Sequence, residues 1–125
     1  MGISKVYDRQ VYFQKLLAKN DEQKNLPADD VTKFQYHITA IVEELGEVLK
    51  ADKRWKTHRN ETFLKEEKEE ELADVFITVL NLLIFSGIDI KDFLNQVAKK
   101  QSANIEKFLS ITEVIENDIF SWGHR

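Results

Sequence analysis

A chain of 125 residues, 42% of them hydrophobic and one of them proline, has material for a single domain over 1–125 with a modest core and no room for a second. Its 18 lysines and arginines against 22 aspartates and glutamates leave a formal charge of −4, which disfavours binding nucleic acid through phosphate neutralisation, and the lack of cysteine excludes disulfides and thiolate metal sites. No uncharged run approaches the length of a membrane span and Met1-Gly2-Ile3-Ser4-Lys5 opens on polar sequence, so the expectation is a soluble, cytoplasmic protein with no membrane partner.

Helix signals alternate with short breaks along the chain. Val6, Tyr7, Val11, Phe13, Leu16 and Leu17 predict a first helix from about Ser4 to Lys19, ended by the polar stretch Asn20 to Asn25 and by Pro27. Asp29 or Asp30 caps a second helix reaching to about Trp55, in which Ile38, Ile41, Val42, Leu45, Val48 and Leu49 form one apolar stripe. Lys56 to Glu61 reads as a polar connection and Thr62 as the cap of a third helix, which begins with the solvated, mixed-sign run Lys65 to Glu70. From Leu72 to Phe85 that helix is apolar nearly all round, the pattern of a central rod enclosed by others. Gly87 stops it, Asp89 caps a fourth helix, and Ser110 with Glu113 fits a capping box opening a short terminal one. No strand alternation occurs. The fold class is all-α, a four-helix-bundle-type core with a short C-terminal helix.

Two acidic clusters interrupt these apolar helices. Glu44 borders the stripe of the second helix, and Glu47 follows Glu44 by three residues and Glu43 by four, so the three project from neighbouring turns. On the third helix Glu71, Asp74, Thr78, Asn81 and Phe85 recur at three- and four-residue steps, a polar-edged line along a rod expected to be buried, where polar groups need partners. Two carboxylates about 4 Å apart repel by roughly 4 kcal/mol at an effective dielectric near 20, so several gathered on facing helices require a cation. Oxygen ligands without cysteine or a suitably spaced histidine select a hard ion, Mg²⁺ with Mn²⁺ as a substitute, whose shell is completed by water and substrate phosphate.

The order Glu43-Glu44-x-x-Glu47, about two dozen residues, then Glu71-x-x-Asp74 resembles the MazG-like all-α nucleoside triphosphate pyrophosphohydrolases, the superfamily related to the dimeric dUTPases. Asp74-Val75-Phe76-Ile77-Thr78-Val79-Leu80-Asn81-Leu82 is similar to the metal-ligand helix of that group, and Lys100-Gln101-Ser102-Ala103-Asn104-Ile105-Glu106-Lys107 to its Lys-x-x-x-Asn-x-x-Arg segment, with lysine replacing the last arginine. That lysine keeps the charge and loses the bidentate fork. The resemblance covers about 34–108.

It implies Mg²⁺-dependent hydrolysis of a (deoxy)nucleoside triphosphate to the monophosphate and pyrophosphate in nucleotide-pool house-cleaning. Glu44, Glu47, Glu71 and Asp74 are then metal ligands, Glu43 is a general base or the holder of a second ion, and Asn81, Lys100, Asn104 and Lys107 are substrate-binding residues. It also implies a homodimer or homotetramer with a pocket completed by the partner chain. Two rivals stand beside this reading: a non-catalytic helical protein-interaction module, whose acidic clusters are surface charge, and a pyrophosphohydrolase of dUTPase-like, dCTPase-like or phosphoribosyl-ATP type. His37 reads as a satisfied histidine, His58 and His124 lack metal spacing, and Trp55 reads as an aromatic closing a helix end.

Overall fold

The computed structural model describes residues 1–19, 29–55 and 63–112. Its elements are α1 (Ile3–Lys19), α2 (Asp30–Ala51), a 3₁₀ turn (Lys53–Trp55), α3 (Lys65–Phe85) and α4 (Ile90–Thr112), and the architecture is an all-α helical bundle without a strand among the described residues. The chain divides into two compact units, Met1–Asp89 and Ile90–Arg125. No single helix among the described residues is long and apolar enough to cross a membrane.

In the first unit α3 packs against both α2 and α1. Glu44 of α2 lies beside Asp74 and Glu71 of α3, while His37, two turns earlier, stacks on Phe85, so the two helices run antiparallel. Leu80 and Leu83 are the buried centre of α3. Phe63, just before α3, is buried with Arg54 and Lys68 over its ring at 5.7 and 5.6 Å, which ties the end of α2 to the start of α3.

The helix ends show which local chemistry stops each run. Asp29 takes an extended backbone and its carboxylate accepts from the Thr32 amide at 2.8 Å, so the α2 cap is Asp29 and not Asp30. α2 stops at Ala51, four residues short of Trp55, because the Asp52 carboxylate accepts two hydrogen bonds from the Arg54 guanidinium, at 2.7 and 2.6 Å, across a turn that a helix cannot make. That pairing holds the Asp52 carboxyl down at about 2. α3 has Leu64 as its cap without a side-chain bond; Thr62 lies outside the described residues, as do His58 and His124 and the side chain of Trp55.

The end of α3 is a Schellman motif. Gly87, with φ +71°, donates to the Ile84 carbonyl at 3.1 Å and Ile88 donates to the Leu83 carbonyl at 3.0 Å. A Cβ at Gly87 meets no atom within 4 Å, so the cost of a side chain there is backbone strain alone. Gly87→Ala is therefore expected to lower stability by about 1 kcal/mol in denaturant titration, with no change in secondary structure by circular dichroism. An unchanged midpoint would show that the left-handed turn is not retained in solution.

Three expectations are corrected. The apolar stripe of α2 does not face one way: Ile41 and Val48 are half-buried, whereas Ile38, Val42, Leu45 and Leu49 are exposed. α3 is central but not enclosed, since Leu72 and Phe76 are 54% and 44% exposed. Ser110 opens no new helix; α4 continues to Thr112 and the Ser110 hydroxyl donates to the Lys107 carbonyl at 2.9 Å, while Glu113 lies outside the described residues.

Candidate active site

Glu71 and Asp74 sit one turn apart on α3, and Glu44 faces them from α2. Each offers a carboxylate oxygen, and these oxygens lie within 4.8 Å of one another. Glu44 and Glu71 are half-buried and Asp74 is exposed, so the cluster occupies the rim of the α2–α3 seam and not its interior. The Glu44 carboxyl is pushed above its ordinary range, first by burial and then by the negative charges of Asp74, Glu47, Glu71 and Glu43. All five acidic residues thus share one electrostatic neighbourhood, with Glu43 and Glu47 on its exposed side.

Unscreened repulsion at such separations would be roughly 3 kcal/mol per pair at an effective dielectric near 20, and water at this half-open rim reduces it to on the order of 1 kcal/mol or less. A divalent ion reverses the sign of that energy, and an all-oxygen, partly open set of carboxylates suits a hard cation that keeps water or phosphate in its shell. The cluster could therefore hold a metal ion through Glu44, Glu71 and Asp74; the structure does not bring Glu47 into the converging set, although its charge acts on Glu44.

Beyond Asp74 the polar line of α3 is served by the protein. Thr78 donates back to the Val75 carbonyl at 2.6 Å. Asn81 Oδ1 accepts from Gln10 Nε2 at 2.8 Å and from Gln14 Nε2 at 2.9 Å, both on α1. These bonds, and not a bound ion, satisfy the Thr78 hydroxyl and Asn81 Oδ1, which corrects the expectation that the whole line needs a ligand. Lys100, Asn104 and Lys107 lie along one face of α4, all exposed, in the second unit.

His37 is buried, edge-on to Tyr36 and stacked on Phe85 with ring centroids 4.5 Å apart. It is not satisfied as expected: Nε2 has no hydrogen-bond partner among the described residues. Burial, and secondarily the Lys33 charge, lower its pKa, so the ring is neutral at neutral pH. Gln10 and Gln14 are the residues that sequence reading misses; a polar pair four apart on the apolar side of α1 is the signal that could reveal them.

An all-α fold with carboxylates in this order and spacing on two antiparallel helices is that of the MazG-like nucleoside triphosphate pyrophosphohydrolase superfamily. Within it the chain belongs to the phosphoribosyl-ATP pyrophosphohydrolase family, PRA-PH, whose model matches residues 12–101. Comparison with curated proteins and with solved structures returns no match. Family membership makes the chain a pyrophosphohydrolase of nucleotide-like substrates, and the family is typically dependent on divalent metal.

Proposed function

We propose that the protein hydrolyses a (deoxy)nucleoside triphosphate between its α and β phosphates, releasing the monophosphate and pyrophosphate, with Mg²⁺ as the working ion and Mn²⁺ as a substitute. The observation that carries this reading is the convergence of Glu44, Glu71 and Asp74 across α2 and α3 in a chain of this family. When bound there, with Glu47 completing the set, the cation supplies charge neutralisation of the phosphates and polarisation at phosphorus. Glu43, exposed on the same helix, accepts the proton of the attacking water. The water oxygen forms the new bond to the α-phosphorus, the bond from that phosphorus to the α–β bridging oxygen breaks, and its electron pair leaves on pyrophosphate. Asn81 orients the nucleotide from the same α3 face.

The exposed apolar side chains Val42, Leu45 and Leu49 of α2 and Leu72 and Phe76 of α3 support a homodimer or homotetramer that covers them. The substrate itself argues for a cytoplasmic protein acting on the nucleotide pool.

A panel of ribo- and deoxyribonucleoside triphosphates and phosphoribosyl-ATP, each incubated with Mg²⁺ and resolved by chromatography, tests the reaction. Monophosphate plus pyrophosphate supports it. Diphosphate plus phosphate rejects the bond assignment, and no turnover of any member returns the non-catalytic module to the front.

Lys100, Asn104 and Lys107 are proposed as the phosphate contacts of α4, since cations offset charge that the metal leaves uncompensated. Lys100→Ala is expected to lower kcat/KM about tenfold, chiefly through KM, and to leave the melting temperature within a degree or so, because an exposed lysine contributes little to stability. Lys99→Ala, about 100° round the same helix, is the control. Equal activity of the two variants at subsaturating nucleotide would remove Lys100 from the site.

A further inference from the structure

Among the described residues, His37 is a buried polar side chain that the proposed reaction does not use. It is 5% exposed and its Nε2 makes no hydrogen bond among the described residues, a state that costs free energy in the folded protein unless something binds there. The ring belongs to the walls of two cavities. One, of about 260 Å³, is bounded by Gln10, Gln14, Tyr36, His37, Asn81 and Phe85; the other, of about 450 Å³, lies on the Lys33 side of His37 and Phe85. The smaller cavity, whose wall also includes Phe13, Leu17 and Ile77, combines apolar and aromatic faces with carboxamides and the His37 imidazole, which are the two things that a flat heterocycle needs: faces to stack on and groups that read its edge.

Its position matters as much as its lining. His37 precedes Glu44 by seven residues on α2, and Asn81 follows Asp74 by seven on α3. At 1.5 Å per residue the cavity lies about 10 Å from the carboxylates along both antiparallel helices, on one side of them. A nucleotide has the same layout, with its phosphates at one end, a sugar between, and its base at the other.

The Asn81 carboxamide is already oriented for recognition. Its Oδ1 is taken by the two glutamine donors of α1, which leaves Nδ2 as the donor that this side chain can offer a ligand. His37 is flanked by Lys33 and Tyr36 on α2 and by Phe85 on α3; a neutral ring among them has one nitrogen that donates and one that accepts.

We propose that the cavity bounded by Tyr36, His37, Asn81 and Phe85 receives the base of the nucleotide, with the His37 imidazole and the Asn81 carboxamide as the specificity-determining groups of its wall. This rests on the pyrophosphohydrolase reading for what the ligand is, and the test separates the two. Nucleosides and nucleoside 5′-monophosphates are titrated into the full-length protein and followed by NMR through the His37 ring and the side-chain amides of Gln10, Gln14 and Asn81. At least one base is expected to shift these resonances saturably. His37→Phe, which keeps the stack on Phe85 and removes the nitrogen, and Asn81→Ala are each expected to weaken that binding about tenfold and to narrow the spread of affinities between bases.

Nucleosides carry no phosphoanhydride, so this result stands whether or not a triphosphate is hydrolysed. Hydrolysis of a base-free ribose triphosphate, in turn, reports on the carboxylates without the cavity. The proposal is overturned if no nucleoside or monophosphate perturbs the His37 and Asn81 resonances, or if both variants bind the preferred base as tightly as the natural protein.

Discussion

Mg²⁺ or Mn²⁺ is expected to raise the melting temperature of the natural protein, and Glu44→Gln to have two opposite effects: stabilising the chelated protein and abolishing the response to metal. The first effect follows from electrostatics. Glu44 stands against Asp74, Glu47, Glu71 and Glu43, and removing its charge relieves repulsion worth up to about 1 kcal/mol at a partly solvated site. The second follows from mass action, since an ion that binds only the folded chain at a hundredfold excess over its Kd contributes about 2.7 kcal/mol, or a rise on the order of 10 °C for a domain of this size. Glu71→Gln is expected to lose the metal response in the same way. Differential scanning calorimetry of each protein in chelator, Mg²⁺ and Mn²⁺ measures both effects. A natural protein that unfolds identically in all three buffers and shows no ion binding by titration would mean that the three converging carboxylates hold no metal.

The second large effect separates holding the ion from moving a proton. Asp74→Asn is expected to lose metal response and turnover together, because Asp74 is within the cluster of converging oxygens. Glu43 is outside that cluster and exposed, near enough for its charge to act on Glu44. Glu43→Gln is therefore expected to keep the metal-dependent melting shift while kcat falls roughly 10²–10⁴-fold, the usual size of a lost general base. Steady-state kinetics and calorimetry on the same preparations decide it. Loss of the ion in Glu43→Gln as complete as in Asp74→Asn would reassign Glu43 as a ligand.

Both effects concern residues visible in the sequence, and the reason is local. Helix spacing alone puts Glu71 and Asp74 on one turn and Glu44 at the edge of an apolar stripe, so their meeting needs only that α2 and α3 pack. The helices themselves follow from the same 3.6-residue periodicity, and Gly87 announces the end of α3 because few other residues accept its backbone. What the sequence hides depends on distant partners. Nothing near Asn81 shows that it bonds to Gln10 and Gln14, 71 and 67 residues away, or that His37 lies against Phe85. Which half of the α2 stripe turns inward is decided by where α3 lies, and helix spacing is blind to it. The stop at Asp52 turned on a pairing with Arg54 that competes with continued helix, a contest that propensity alone does not resolve.

α3 carries Glu71 and Asp74 at one station and Asn81 and Phe85 at another, joined by two uninterrupted helical turns. The spacing of these stations is set by backbone hydrogen bonds and not by flexible side chains, so α3 acts as a rigid gauge. Lengthening it by a single residue between Asp74 and Asn81 would advance the far station by only about 1.5 Å but swing it by about 100° around the helix axis, taking Asn81 away from α1 and Phe85 away from His37 at one stroke. Substitutions can retune either station separately, whereas a change in helix length uncouples them. The segment from 74 to 81 should accordingly tolerate changes of residue far better than changes of length.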